Sequence, residues 1–160
     1  FYQTDLQEKV YEALAISGHS PEWLEVELTE TLALSDIDFA VSQMNKLREL
    51  GVKLAMDDFG TGYSSLSYLQ ILPITLLKLD RSFITDIEHD NIAYEIVSAV
   101  IRIAKSKKIE TIAEGIENTV QESILRMAGC DYGQGYLYGK PMPAQKLEEF
   151  FDLNAKSAMY

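Results

Sequence analysis

The chain has 160 residues, 47% of them apolar, and a net charge of −11. That length supports one domain with its own core, while the charge argues against a nucleic-acid polymer as partner. No apolar run is long enough to cross a bilayer, and Cys130, the only cysteine, can form no intrachain disulfide, so a reducing cytoplasm is the expected setting.

His19 and His89 have no cysteine or histidine partner at zinc spacing. The chain opens at Phe1, without signal-peptide character, and reads as a piece of a longer protein or a processed product.

Taken in order, Thr4-Asp5-Leu6-Gln7 reads as a capping box. Leu6, Val10, Ala13 and Leu14 follow at helical spacing, and Gly18 ends that helix. Ser20-Pro21 marks a turn or short helical entry. Leu24 to Leu28 alternates as a strand, with Glu25 and Glu27 opposite Leu24, Val26 and Leu28. Ser35-Asp36 opens a helix with Ile37, Val41, Met44 and Leu47 on one stripe and Gly51 at its end. Val52 to Asp57 is a strand whose opposite face carries Lys53, Ala55 and Asp57. A helix beginning at Ser64 or Ser65 stops before Pro73.

Leu76 to Asp80 is a third strand, with Lys78 inside an apolar run. Asn91 caps a long helix through Ile92, Ile96, Val100 and Ile103; its basic end suits the helix dipole. Ile109 to Ala113 is a fourth strand, leaving at Glu114-Gly115. A capping box at Thr119 opens a helix that ends at Gly129. Cys130 to Tyr136 holds a short strand with Gln134, and a final helix carries Leu147, Phe150 and Phe151. Alternating strands and helices predict a parallel sheet covered by helices, an α/β fold.

In such a fold, functional residues gather where strands exit. Glu27, Asp57, Lys78, Glu114 and Gln134 lie at or near those five exits. Each alone reads as a solvated loop residue; five at one topological position point to a site. Carboxylates with an amide oxygen suit hard divalent ions such as Mg2+ or Mn2+. Adjacent Asp57 and Asp58 are able to share two ions, an arrangement suited to phosphate-ester hydrolysis. Lys78 would stabilise phosphate charge or orient water, and Glu114 would bind metal or act as general base. Glu25 should point inward below Glu27, which calls for a partner because an unpaired buried carboxylate is costly; Lys53 is the candidate.

The motifs Glu27-Leu28-Thr29-Glu30, Asp57-Asp58-Phe59-Gly60-Thr61-Gly62-Tyr63-Ser64-Ser65-Leu66, Lys78-Leu79-Asp80, Ala113-Glu114-Gly115-Ile116-Glu117 and Gln134-Gly135-Tyr136, in this order and spacing, resemble the EAL-domain family. The resemblance covers essentially the whole chain. It implies a barrel related to the TIM fold. It also implies hydrolysis of the bacterial second messenger cyclic di-GMP to pGpG with two magnesium or manganese ions. By position, Glu27, Asp57 and Asp58 resemble metal ligands, with Asp57 bridging. Lys78 resembles the water-orienting, phosphate-contacting lysine. Glu114 resembles the catalytic or metal-binding glutamate, Glu117 a substrate- or metal-shell acid, and Gln134 a contact to metal, water or substrate. Glu30 resembles the residue that anchors the loop after Asp58, a loop linked in this family to metal binding and dimerisation.

The chain departs from the family at its start. The signature Glu-Ala-Leu belongs on the first barrel strand, whereas Glu12-Ala13-Leu14 lies in a predicted helix with no Arg-Trp after it. The resemblance is therefore to the C-terminal two-thirds of an EAL domain, a single partial domain over residues 1–160. About five strands cannot close an eight-stranded barrel. Open edges and an exposed inner face need cover, from a segment before residue 1 or from another chain; taken alone, the piece is expected to self-associate, as a homodimer, or to be poorly soluble. The parent leaves room for a fused GGDEF or sensor module and for membrane tethering. Two other readings stand beside the phosphodiesterase: a non-catalytic cyclic di-GMP receptor, and an unrelated metal-dependent barrel enzyme, which would leave the loop match unexplained.

Overall fold

The computed structural model of the protein describes residues 5–60 and 68–157, with side chains as far as residue 151. Five parallel strands form one sheet in sequential order: β1 (Glu25–Thr29), β2 (Lys53–Phe59), β3 (Leu76–Leu79), β4 (Glu110–Ala113) and β5 (Tyr132–Gly133). The helices are α1 (Leu6–Ser17), α2 (Glu30–Ser35), α3 (Ile37–Glu49), α4 (Arg81–Thr85), α5 (Asn91–Ser106), α6 (Thr119–Ala128) and α7 (Ala144–Ser157). Among the described residues β1 and β5 each pair on one side only, so the sheet is an open arc and not a closed barrel. None of the described helices is long and apolar enough to cross a membrane.

The alternation read from the sequence sorts the two faces of the sheet. Leu28, Leu54, Met56, Leu77, Leu79 and Ala113 point to the helices and are buried. With Met44 and Leu47 of α3, Ile101 of α5 and Leu125 of α6 they form one continuous core. Truncating such a residue to alanine costs about 2–5 kcal/mol. Glu25, Glu27, Lys53, Asp57, Lys78 and Glu110 project from the other face. Lys53 is the register neighbour of Glu25. Glu25 is exposed, and among the described residues no ion pair joins it to Lys53, so the expected buried pair is not present; partial desolvation still pushes its carboxyl above the usual range, with the nearby Glu27 adding to the rise and Lys53 opposing it.

Several boundaries differ from expectation. The long helix α5 is capped by Asp90, whose carboxylate accepts the Ile92 N–H at 2.8 Å, and Asn91 is its first residue. Its buried stripe is Val97, Val100, Ile101 and Ala104, leaving Ile92 and Ile96 exposed; two apolar stripes overlap in this sequence and the one facing the sheet wins. Asn118, not Thr119, caps α6, accepting the N–H groups of Val120 and Gln121. Asp5 precedes α1 without a side-chain cap, and Thr4 lies outside the described residues. So does the helix start at Ser64 or Ser65, while Tyr68–Gln70 forms a single 3-10 turn. β5 is shorter than Cys130 to Tyr136, although the Gln134 N–H still reaches Ala113 O at 2.8 Å. Two short helices, α2 and α4, escaped the sequence reading. Gly18 and Gly129 end their helices in the left-handed region as expected.

Candidate functional site

The site begins with an irregularity in β2. Met56 pairs with Leu77, but the next pairing joins Phe59 to Leu79, so β2 carries one residue more than its partner. This is a β-bulge, a device that re-aims side chains at a strand end. Asp57 and Asp58 occupy it, and Asp58 adopts φ +55°, a conformation aspartate tolerates better than most residues. The Asp58 N–H donates to Asp57 Oδ1 at 3.0 Å.

Beside the bulge, β3 raises Lys78 from the concave face. Its ammonium contacts Asp57 Oδ1 at 2.9 Å, Glu27 Oε1 at 3.0 Å and Glu114 Oε1 at 3.0 Å. The lysine side chain is 11% exposed, Asp57 and Glu114 are 22% and 21%, and Glu27 is 45%. Burial alone would lower the amine's proton affinity. Hydrogen bonds to Asp57, Glu114 and Glu27 outweigh it and hold the amine above the usual lysine range. Lys78 is thus a fixed cation and a hydrogen-bond donor, with no capacity to accept a proton near neutrality. Three carboxylates around one ammonium leave the cluster negative.

The remaining predicted residues surround this centre. Glu30, the first residue of α2, is 4% exposed and its Oε2 accepts the Gly60 N–H at 2.9 Å, tying the turn after Asp58 to β1. Glu117 pairs with Arg81 at 2.7 Å, and its own N–H donates to Gln121 Oε1 at 2.8 Å. Gln134 follows β5, with its carbonyl accepting the Ile116 N–H at 3.0 Å. Gln134, Glu114, Glu117, Arg81 and Tyr136 line a cleft of ≈ 240 Å³ beside the cluster. A larger cleft of ≈ 430 Å³, between α6 and β5, contains none of the predicted site residues.

The structure thus brings Glu27, Asp57, Lys78 and Glu114 into contact, sets Glu117 and Gln134 along the adjoining cleft, and places Glu30 behind the turn. Asp58 sits on the bulge itself. Arg81 was missed by sequence reasoning, although Asp80-Arg81-Ser82 carries a signal: Asp80 caps α4 by accepting the Ser82 N–H at 2.9 Å. Among the described residues no three acid, histidine or cysteine side chains stand ready-assembled as a metal cage. The carboxylates meet at the ammonium instead, so the donor set fits a hard cation in chemistry while Lys78 supplies the positive charge they share.

A family model described as EAL domain matches residues 1–141. The cyclic di-GMP phosphodiesterase NbdA of Pseudomonas aeruginosa is 44% identical over 148 residues, which cover 92% of this chain and 19% of that protein. The chain spans about a fifth of the length of the curated relatives it matches. Among solved structures, the MucR phosphodiesterase of P. aeruginosa in complex with c-di-GMP superposes with a TM-score of 0.86 at 40% identity, covering 91% of this chain and 59% of that one. A manganese/c-di-GMP complex of Klebsiella pneumoniae BlrP1 gives 0.83 at 31%, covering 88% and 36%. The open sheet is therefore the arc of a TIM-barrel-like fold shared with these structures, and the chain belongs to the EAL domain family.

Proposed function

We propose that the protein acts as a metal-dependent phosphodiesterase that hydrolyses cyclic di-GMP to linear pGpG. The observation that carries this reading is the convergence of Glu27, Asp57 and Glu114 on Lys78 at the strand exits. Its support from kinship is the naming of NbdA and the nucleotide bound in the MucR and BlrP1 complexes.

Glu27, Asp57, Asp58, Glu114 and Gln134 would hold two divalent ions, Mg2+ or Mn2+. All five offer oxygen donors, which hard cations prefer. Such ions supply Lewis acidity and charge neutralisation at a phosphodiester. The chain's own residues do the rest. Lys78, permanently charged, donates to a phosphate oxygen or orients the attacking water. Glu114, in contact with Lys78, takes one proton of the attacking water as the water oxygen bonds to phosphorus; the P–O bond to the departing sugar oxygen breaks, and that oxygen takes a proton from solvent. Glu117 and Gln134, on the cleft wall, hydrogen-bond the substrate.

The protein is further proposed to work in the cytoplasm as a homodimer. Exposed Ile16, Trp23, Phe150 and Phe151 offer apolar surface for association. A fused cyclase module is supported by the relative MucR, named as a bifunctional diguanylate cyclase and phosphodiesterase. The test is chromatographic: cyclic di-GMP incubated with the protein and Mn2+ or Mg2+ should yield pGpG, and chelator should stop it. Nucleotide binding without metal-dependent turnover would replace this reading with a receptor.

A further inference from the structure

The turn carrying Asp57 and Asp58 needs external support. Asp58 is a non-glycine residue at φ +55°, a strained conformation that persists where the surroundings hold it, whereas Gly60, at φ +102°, adopts its conformation freely and so lets the turn pass close to a neighbour. Glu30 supplies one support through the Gly60 N–H. The second is an aromatic ring. Phe83 lies so closely against Gly60 that a Cβ there would fall inside the ring.

Phe83 belongs to α4, the helix that leaves the strand bearing Lys78. Although short, α4 is fastened on several sides. Asp80 caps it. Ile84 is fully buried, and its carbonyl accepts from Gln121 Nε2 at 3.3 Å. Arg81 covers Gly115, where a Cβ would meet Arg81 Cγ at 2.5 Å, and pairs with Glu117. One helix therefore presses on the segment after Asp58 and on the residue after Glu114, from the end of the strand between them. Its position is inherited by both acidic exits.

We propose that Phe83 is a positioning residue: its ring wedges against Gly60 and holds the Asp57-Asp58 bulge where both carboxylates can receive a divalent cation beside Lys78. This rests on the metal-dependent reading above. Any side chain at Gly60 meets the ring, and loss of the ring frees the bulge to relax away from Lys78.

The test is calorimetric titration of the protein with MnCl2, accompanied by steady-state kinetics on cyclic di-GMP. Phe83→Ala should weaken Mn2+ binding at least tenfold and lower kcat more than it raises KM. Phe83→Met, which refills the space, should recover most of both. Ile101→Ala, a buried α5 residue remote from the turn, serves as a control of comparable destabilisation and should keep wild-type Mn2+ affinity. Gly60→Ala should lose binding, and adding Phe83→Ala to it should restore part of the loss by removing the clash. Unchanged affinity in Phe83→Ala, or an equal loss in Ile101→Ala, overturns the proposal. A wild type that takes up no Mn2+ overturns the proposed function and the role of Phe83 with it. A wild type that binds Mn2+ beside an equally competent Phe83→Ala overturns only the role of Phe83.

Discussion

Replacing Lys78 by methionine keeps the length of the side chain and removes its charge, leaving Glu27, Asp57 and Glu114 facing one another. Each oxygen now lies 2.9–3.0 Å from the ammonium. At that distance and an effective dielectric of about 20, one contact has a Coulomb energy of roughly 5 kcal/mol before desolvation is subtracted. Removing one partner of a buried pair costs about 3–5 kcal/mol. Glu27 is nearly half exposed and contributes little of this, and the other two acids retain some access to water. The expected loss is therefore about 2–4 kcal/mol, read by urea denaturation in the absence of metal. Mn2+ should restore part of it, because a cation takes over the neutralising role, and the variant should bind its first Mn2+ more tightly than the wild type while releasing no pGpG. The pH dependence has a definite sign. The folded-state pKa of Lys78 is raised, so its stabilisation is complete below the unfolded value of about 10.4 and is lost as pH rises through the folded value. The gap between wild type and Lys78→Met should hold across neutral pH and close only in strong alkali. A variant as stable as wild type, with unchanged Mn2+ affinity, would refute the idea that this ammonium holds the acids together.

Asp57→Asn should abolish turnover while leaving the fold intact by circular dichroism, since the amide keeps an oxygen for the Asp58 N–H but surrenders the charge; retained pGpG release would remove Asp57 from the metal role. Glu30→Ala orphans the Gly60 N–H and should cost about 1–3 kcal/mol in denaturation, whereas Glu30→Gln, which retains an acceptor, should cost less. Ser98→Ala should be neutral or stabilising by up to about 1 kcal/mol, because Ser98 Oγ is the one buried side-chain polar atom among the described residues without a hydrogen-bond partner. A measured loss there would mean the hydroxyl has a partner in solution.

The sheet was legible because its strands alternate. Leu24 to Leu28 and Val52 to Asp57 separate helix-facing aliphatics from concave-face charges, and the structure keeps that separation in register. The strand exits were legible for the same reason: period two places Glu27 and Asp57 on one face, and Lys78 inside an apolar run has few explanations other than a partnered charge. What escaped was set by tertiary context. The bulge at Asp57-Asp58 is a mismatch between two strands, and neither strand's sequence contains it. α4 has five residues, too few to show a period, and only its Asp80 cap announced it. Thr119 and Asn91 were displaced as caps by the preceding Asn118 and Asp90: the helices already begin at 119 and 91, so the residue one place earlier stands at the N-cap and its side-chain oxygen accepts the free N–H groups. Of the apolar residues read along α5, Val100 lies in the core and Ile103 packs against it while Ile92 and Ile96 are exposed, because two stripes compete and the choice depends on where the sheet lies.

The most direct measurement is an anomalous difference map at the manganese edge, from crystals of the protein grown with Mn2+ and cyclic di-GMP. Two peaks are expected among Glu27, Asp57, Asp58, Glu114 and Gln134. Pairing solved metal with observed chemistry is what makes this decisive: pGpG release from a protein whose crystals show no manganese at these residues, or manganese elsewhere, would contradict the assignment of this cluster as the catalytic centre.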